Sequence, residues 1–196
     1  QALEPEVSDR GQGPGPALRT TARMAKYTSG SSLRDIVAGG DVVLVRGSWL
    51  WEQVQQGAGQ AVLPRRQELP GSAILGPAQV DELFEGSGTL KMDIVVVSYC
   101  WLTKAHPDPR GVQLRYYLGT AIQHHLVKNH HGRFVEFAVF LDWCSLHQKP
   151  RTASQKLVFD RSLATINVWY AHRMTHKWLV TALPRRGRPD HGGRSR

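Results

Sequence analysis

The chain has 196 residues, 41% of them hydrophobic, with 11 prolines and two cysteines, enough for one domain plus extensions and unlike a collagen-like, fully disordered or disulfide-framed chain. Its net charge of +9 divides into −2 over residues 1–90 and +11 over residues 91–196, and all nine histidines lie after residue 91. No apolar run approaches the roughly 20 residues of a membrane helix, and no charged-then-apolar leader follows Gln1, so a cytoplasmic chain with no membrane partner is expected.

Residues 1–40 are expected to be disordered, because Gly11, Gly13 and Gly15 interleave with Pro14 and Pro16, and Gly30-Ser31-Ser32 and Gly39-Gly40 follow. Residues 41–90 read as a helical accessory segment. There the apolar run Val42 to Val45 leads to Ser48, a candidate N-cap for a helix over Trp49 to Gln56. Arg65-Arg66-Gln67-Glu68-Leu69-Pro70 reads as a linker or docking strip, and Pro77 opens a second short helix to about Phe84.

Residues 91–184 carry a different pattern. Asp93 to Val97 is a β-branched run bounded by turn residues, as in a strand buried on both faces. A proline loop precedes a helix from about Gly111 to Asn129, with Leu114, Leu118, Ala121, Ile122 and Leu126 at helical spacing. Phe134 to Leu141 reads as the second strand. Thr152 or Ser154 starts another helix, striped by Phe159, Leu163, Ile166 and Tyr170, and Trp178 to Ala182 is the third strand. The order βαβαβ predicts an α/β fold, a parallel sheet with flanking helices. Three strands are few for a doubly wound sheet, so the domain reads as a truncated version of a longer one. Residues 185–196 read as a basic disordered tail.

Ligands of such sheets bind beyond the carboxyl ends of the strands. Ser98-Tyr99-Cys100-Trp101 follows the first strand, and Asp142-Trp143-Cys144-Ser145-Leu146-His147-Gln148 follows the second. If those strands are neighbours, Ser98, Tyr99, Trp101, Asp142, Ser145 and Gln148 form a rim able to stack a purine or nicotinamide ring and bond a ribose. The plainer reading has Asp142 capping its own loop and both tryptophans in the core. No metal site is expected: the pairs His124-His125 and His130-His131 lack the i, i+4 spacing of helix ligands, and neither CxxC nor HExxH occurs. Cys100 and Cys144 read as small hydrophobes rather than nucleophiles. No nucleic-acid motif accompanies the basic half, so nucleic acid is not an expected partner.

Ile94-Val95-Val96-Val97-Ser98-Tyr99-Cys100-Trp101 resembles the "LSYxWG" strand that opens fungal heterokaryon-incompatibility (HET) domains, and Val139-Phe140-Leu141-Asp142-Trp143-Cys144-Ser145-Leu146-His147-Gln148 resembles their "WIDxxCINQ" motif. Trp169-Tyr170-Ala171-His172 falls where that family has "M..IY..A". The resemblance covers residues 93–183. Lys104 to Pro109 stands where the family has a Gly-rich turn, and His147 where it has Asn. HET domains are distant relatives of TIR domains, so the resemblance implies a partial flavodoxin-like fold and a signalling or protein-interaction role, with a nucleotide as ligand. It also brings an alternative, an NAD-consuming glycohydrolase, for which some TIR-like domains use a helix glutamate. The one glutamate after residue 91 is Glu136, placed in the second strand. The expectation is therefore a domain non-catalytic as it stands, with NAD as ligand or, in the alternative, as substrate completed by oligomerisation or further sequence. The sheet edge left by the third strand predicts self-association or a protein partner.

Overall fold

The computed structural model describes residues 24–56, 61–84, 90–131 and 133–182. The elements are α1 (Gly30–Ala38), β1 (Val45–Arg46), α2 (Gly47–Gln55), α3 (Pro77–Phe84), β2 (Ile94–Tyr99), α4 (Gly119–His130), β3 (Ala138–Leu141), the single turn α5 (Asp142–Ser145), α6 (Ala153–Ala171) and β4 (Thr175–Val180). Two 3₁₀ turns, Arg66–Glu68 and Gly71–Ala73, lie between α2 and α3, and a π-helical turn, Gln113–Leu118, runs into α4. The chain is α/β, with one open, mostly parallel sheet in the order β1-β3-β2-β4 and helices on both faces, consistent with a partial flavodoxin-like fold.

The β-branched run is central for a physical reason. Val95 and Val97 of β2 face one core with Val139 and Leu141 of β3, beneath α2 and α4. Ile94 and Val96 face the other with Ala138 and Phe140, beneath α1, α3 and α6. Both faces are dry, so neither strand alternates apolar with polar residues. The helix stripe Leu114, Leu118, Ile122 and Leu126 is buried as its spacing predicts. At the start of α6, Thr152 accepts from the Gln155 N–H while the Gln155 side chain accepts from the Thr152 N–H, a complete capping box.

Several expectations need correction. The segment expected to be unstructured contains α1: Ser29 caps it, and Leu33 is fully buried. Residues 1–23 and 183–196, which hold the rest of that expectation and the basic tail, lie outside the described residues. The supposed accessory segment supplies β1, a fourth strand that pairs antiparallel with β3 at Val45↔Val139 and Arg46↔Ala138. The second strand is shorter than expected, since Phe134 and Val135 are exposed and pairing begins at Ala138. β4 starts three residues earlier than expected, at Thr175, and Leu163 of the predicted α6 stripe is exposed.

Ser48 is not the N-cap of α2. It lies inside the helix, and its N–H and hydroxyl both donate to the Glu136 carboxylate, at 3.0 and 2.6 Å. Glu136 thus caps α2 from the entry to β3, placing a negative charge at the positive end of the helix dipole. Glu136→Ala is expected to cost about 0.5–2 kcal/mol, the range for losing a cap, read as a lower urea midpoint at unchanged slope.

His172 ties α1 to the turn between α6 and β4. Its Nδ1 accepts from the Met174 N–H at 3.2 Å, and its Nε2 faces the Ser29 carbonyl at 3.0 Å. That pairing requires the neutral ring, and burial, then the charges of Lys177 and Arg173, hold its pKa below the ordinary value against the Ser29 bond. Burial and the charges of Arg66 and Arg151 likewise bring His147 down to about 4. The unfolded chain therefore binds more protons than the fold below the ordinary histidine value of about 6.5, so stability is full above that pH and falls as pH drops toward 4. Melting temperature should decline between pH 7 and 5, and His172→Gln should flatten the decline. A flat profile in the parent chain would contradict the neutral-ring geometry.

Candidate functional site

The parallel register places Val97 of β2 beside Leu141 of β3, so Ser98 and Asp142 emerge together at the carboxyl edge of the sheet. Asp142 opens α5. Its Oδ1 accepts from the Trp143 N–H at 2.7 Å, and its Oδ2 accepts from the Trp101 indole N–H at 3.2 Å. The buried Tyr99 hydroxyl lies near the same carboxylate without meeting hydrogen-bond geometry with any described residue. Burial raises the Asp142 pKa, opposed by the bonds from the Trp101 indole and the Trp143 N–H and by the nearby Tyr99 hydroxyl. Burial also pushes the Tyr99 hydroxyl well up and Tyr170 up to about 12, with the nearby Asp142 charge adding to both.

Beside this carboxylate opens a cavity of about 840 Å³. Trp101 and Asp142 form one wall, Phe159 and Ile166 of α6 another, and Lys104, Lys149 and Arg151 carry positive charge at its margin. The Arg151 guanidinium lies over the Phe159 ring, 3.5 Å from its centroid, and its Nε donates to the His147 carbonyl at 2.7 Å. The site thus combines an aromatic face, a carboxylate with hydrogen-bond capacity, and a cationic margin. Such a combination suits a ligand with a flat ring, hydroxyls and an anionic group.

The expected rim residues divide. Trp101, Asp142 and Gln148 line the cavity, whereas Ser98, Tyr99 and Ser145 do not. Gln148 and Ser145 are held by the backbone: Gln148 Nε2 donates to the carbonyls of Asp142 and Leu146, and the Ser145 hydroxyl accepts from the Leu141 N–H. Trp101 is 40% exposed, but Trp143 is buried, its indole N–H bonded to the Leu63 carbonyl at 2.8 Å and its ring edge-on to Trp101. The Arg65–Pro70 segment, open between a linker and a docking strip, packs against the Gln148–Pro150 loop. Gln67 exchanges bonds with the Gln148 backbone, and Arg66 donates to the carbonyls of Gly40 and Asp41.

Residues absent from the expected rim are Lys104, Lys149, Arg151 and the α6 wall. A signal existed for some of them: Lys149-Pro150-Arg151 directly precedes the Thr152 cap, so a cationic loop at the foot of α6 could have been read. Cys144 is fully buried and burial pushes its thiol strongly up, while exposed Cys100 lies outside the cavity wall. Neither is set up as a nucleophile. Glu136 is committed to α2 at the opposite end of β3, and Asp160 pairs with Lys156 at 2.6 Å on the outer face of α6. Among the described residues no group of three or more His, Cys, Asp and Glu side chains is arranged to hold a metal ion.

No family model matches this sequence, and no curated protein or solved structure matches it.

Proposed function

We propose that the chain is a HET/TIR-like signalling or interaction domain that binds a nucleotide beside Asp142 and leaves it intact. The observation that carries the reading is the position of Asp142, at the carboxyl edge of two adjacent parallel strands, bonded to the half-exposed Trp101 and opening on the 840 Å³ cavity. Ligands of open α/β sheets collect at that edge. In this reading Trp101 stacks the base, Asp142 accepts from ribose hydroxyls, and Lys149 and Arg151 meet phosphate. The non-catalytic part rests on the carboxylates: Glu136 and Asp160 are engaged elsewhere, which leaves Asp142 as the one carboxylate lining the cavity among the described residues. Glycosidic cleavage in general employs a pair.

Titration with AMP and NAD, read by Trp101 fluorescence, tests the proposal. Asp142→Ala is expected to weaken nucleotide binding by about tenfold or more, with a stability loss of only about 0.5–2 kcal/mol from the missing turn cap. If neither nucleotide binds, or if Asp142→Ala binds as well as the parent, the pocket reading fails. Release of nicotinamide on prolonged incubation with NAD would replace the non-catalytic reading by the glycohydrolase one.

A further inference from the structure

We infer that the outer edge of β4 docks an acidic, extended segment of a partner protein as an added strand. The inference names the partner surface of the interaction role proposed above, and it does not depend on the nucleotide pocket, with which this surface shares no lining residue.

β4 is registered to β2 over six residues, from Ile94↔Thr175 to Tyr99↔Val180, and on its other side no strand lies among the described residues. In a strand, alternate residues turn their N–H and C=O groups to opposite edges, so half of this segment presents backbone donors and acceptors outward. Edge strands are commonly guarded by proline, a bulge or an outward lysine. β4 contains no proline, and its one lysine, exposed Lys177, folds back along its own chain, its Nζ donating to the carbonyls of Thr175 and His172. Leu179 stands 67% exposed in this strand.

Alongside the edge runs a groove of about 710 Å³, walled by Trp178 and Val180 of β4 and by Tyr116, Tyr117 and His124 of the π-helical turn and α4. Tyr116 is 61% exposed. An added strand would place every second side chain against these apolar walls, the usual division of labour in strand addition.

Charge decides the occupant. No carboxylate lines the groove among the described residues, and Asp93 beneath it lies 3.3 Å from both His125 and His176. Arg115 over Tyr116, Arg173 before β4 and Lys177 within it make the neighbourhood positive. A second copy would bring its own +9 to the same edge, and residues 183–196 carry five arginines against one aspartate. Like charge disfavours both, whereas an acidic segment is attracted.

The test uses the full chain and a labelled, end-blocked peptide of alternating glutamate and valine, with a lysine–valine peptide as control. Fluorescence anisotropy should show the glutamate peptide binding about tenfold or more tightly than the control, with affinity falling as salt rises. Amide exchange at Thr175–Val180 should slow when it binds. Leu179→Glu, a change at an exposed side chain, should abolish peptide binding while melting temperature and AMP binding stay unchanged. Equal binding of both peptides, or of neither, overturns the proposal. So does a dimer that Leu179→Glu dissociates, since a second copy then holds the edge. Amides of β4 that are protected without peptide, and exposed when residues 183–196 are deleted, overturn it as well. Peptide binding that survives when no nucleotide binds leaves this inference standing and removes only the pocket reading.

Discussion

Trp169→Ala is expected to lower the unfolding free energy by about 3–5 kcal/mol, a large share of the roughly 5–15 kcal/mol that holds a domain of this size together. Trp169 is fully buried between α6 and the sheet, stacked on Phe140 with ring centroids 5.0 Å apart and planes 8° from parallel. Truncation leaves a cavity under the last turn of α6, and the helix cannot collapse into it without moving Ile166, one turn earlier, which walls the Asp142 cavity. The loss should therefore appear both in denaturant melts and in weaker nucleotide binding. Trp169→Phe provides the contrast. The indole N–H is buried with no hydrogen-bond partner among the described residues, so phenylalanine gives up volume but relieves an unpaired donor. It should cost less than about 1.5 kcal/mol. Equal costs for the two variants would mean that the N–H is satisfied after all.

How much of this was legible follows from which forces are local. β2 could be read because both of its faces are buried, which writes an unbroken β-branched run into the sequence, and the end of that run located the site. The α6 start was equally plain, since a capping box is a short-range device carried by Thr152 and Gln155. β1 could not be read. It is two residues long, and its pairing with β3 is a tertiary fact that Val45-Arg46 does not encode. α1 was hidden for the opposite reason: glycine and serine at its start and Gly39-Gly40 at its end give the composition of a loop, while burial of Leu33 and the His172–Ser29 contact hold the helix from a distance.

At the site, residue type was informative and role was not. Asp142 and Trp101 were found as strand-end residues able to bind a ligand, and they meet at 3.2 Å. Ser145 and Gln148 have the same chemical appeal, but α5 leaves backbone groups that need partners, and these two side chains supply them. The α6 wall, to which half-exposed Leu163 also belongs, required knowing how α6 lies across the sheet edge, since the periodicity that marks one apolar stripe does not say which part of it is covered by the core and which faces a cavity.

Gly111→Ala should be nearly as damaging as Trp169→Ala although it adds a single methyl group. Gly111 has φ +64°, in the left-handed region, and a Cβ built there would lie 2.3 Å from the carbonyl oxygen of Ala61. The obstacle is backbone, so no rotamer change relieves it. The segment from Ala61 to Leu63 would have to shift, and with it the Leu63 carbonyl that receives the Trp143 indole and faces His106. Conformational strain of about 1 kcal/mol and overpacking of about 1–3 kcal/mol point to a total near 2–4 kcal/mol. Two other glycines separate these contributions. Gly40 shares the left-handed conformation, at φ +72°, but has nothing within 4 Å of a built Cβ, so Gly40→Ala should cost only the strain, about 1 kcal/mol. Gly71 has neither a positive φ nor a neighbour within 4 Å, and Gly71→Ala should be within about 0.5 kcal/mol of the parent. Urea unfolding of the three variants should rank them Gly111, Gly40, Gly71 in order of decreasing loss. If Gly111→Ala costs no more than Gly40→Ala, the Ala61 segment yields freely, and the close approach that holds Leu63 against Trp143 does not support the wall of the site.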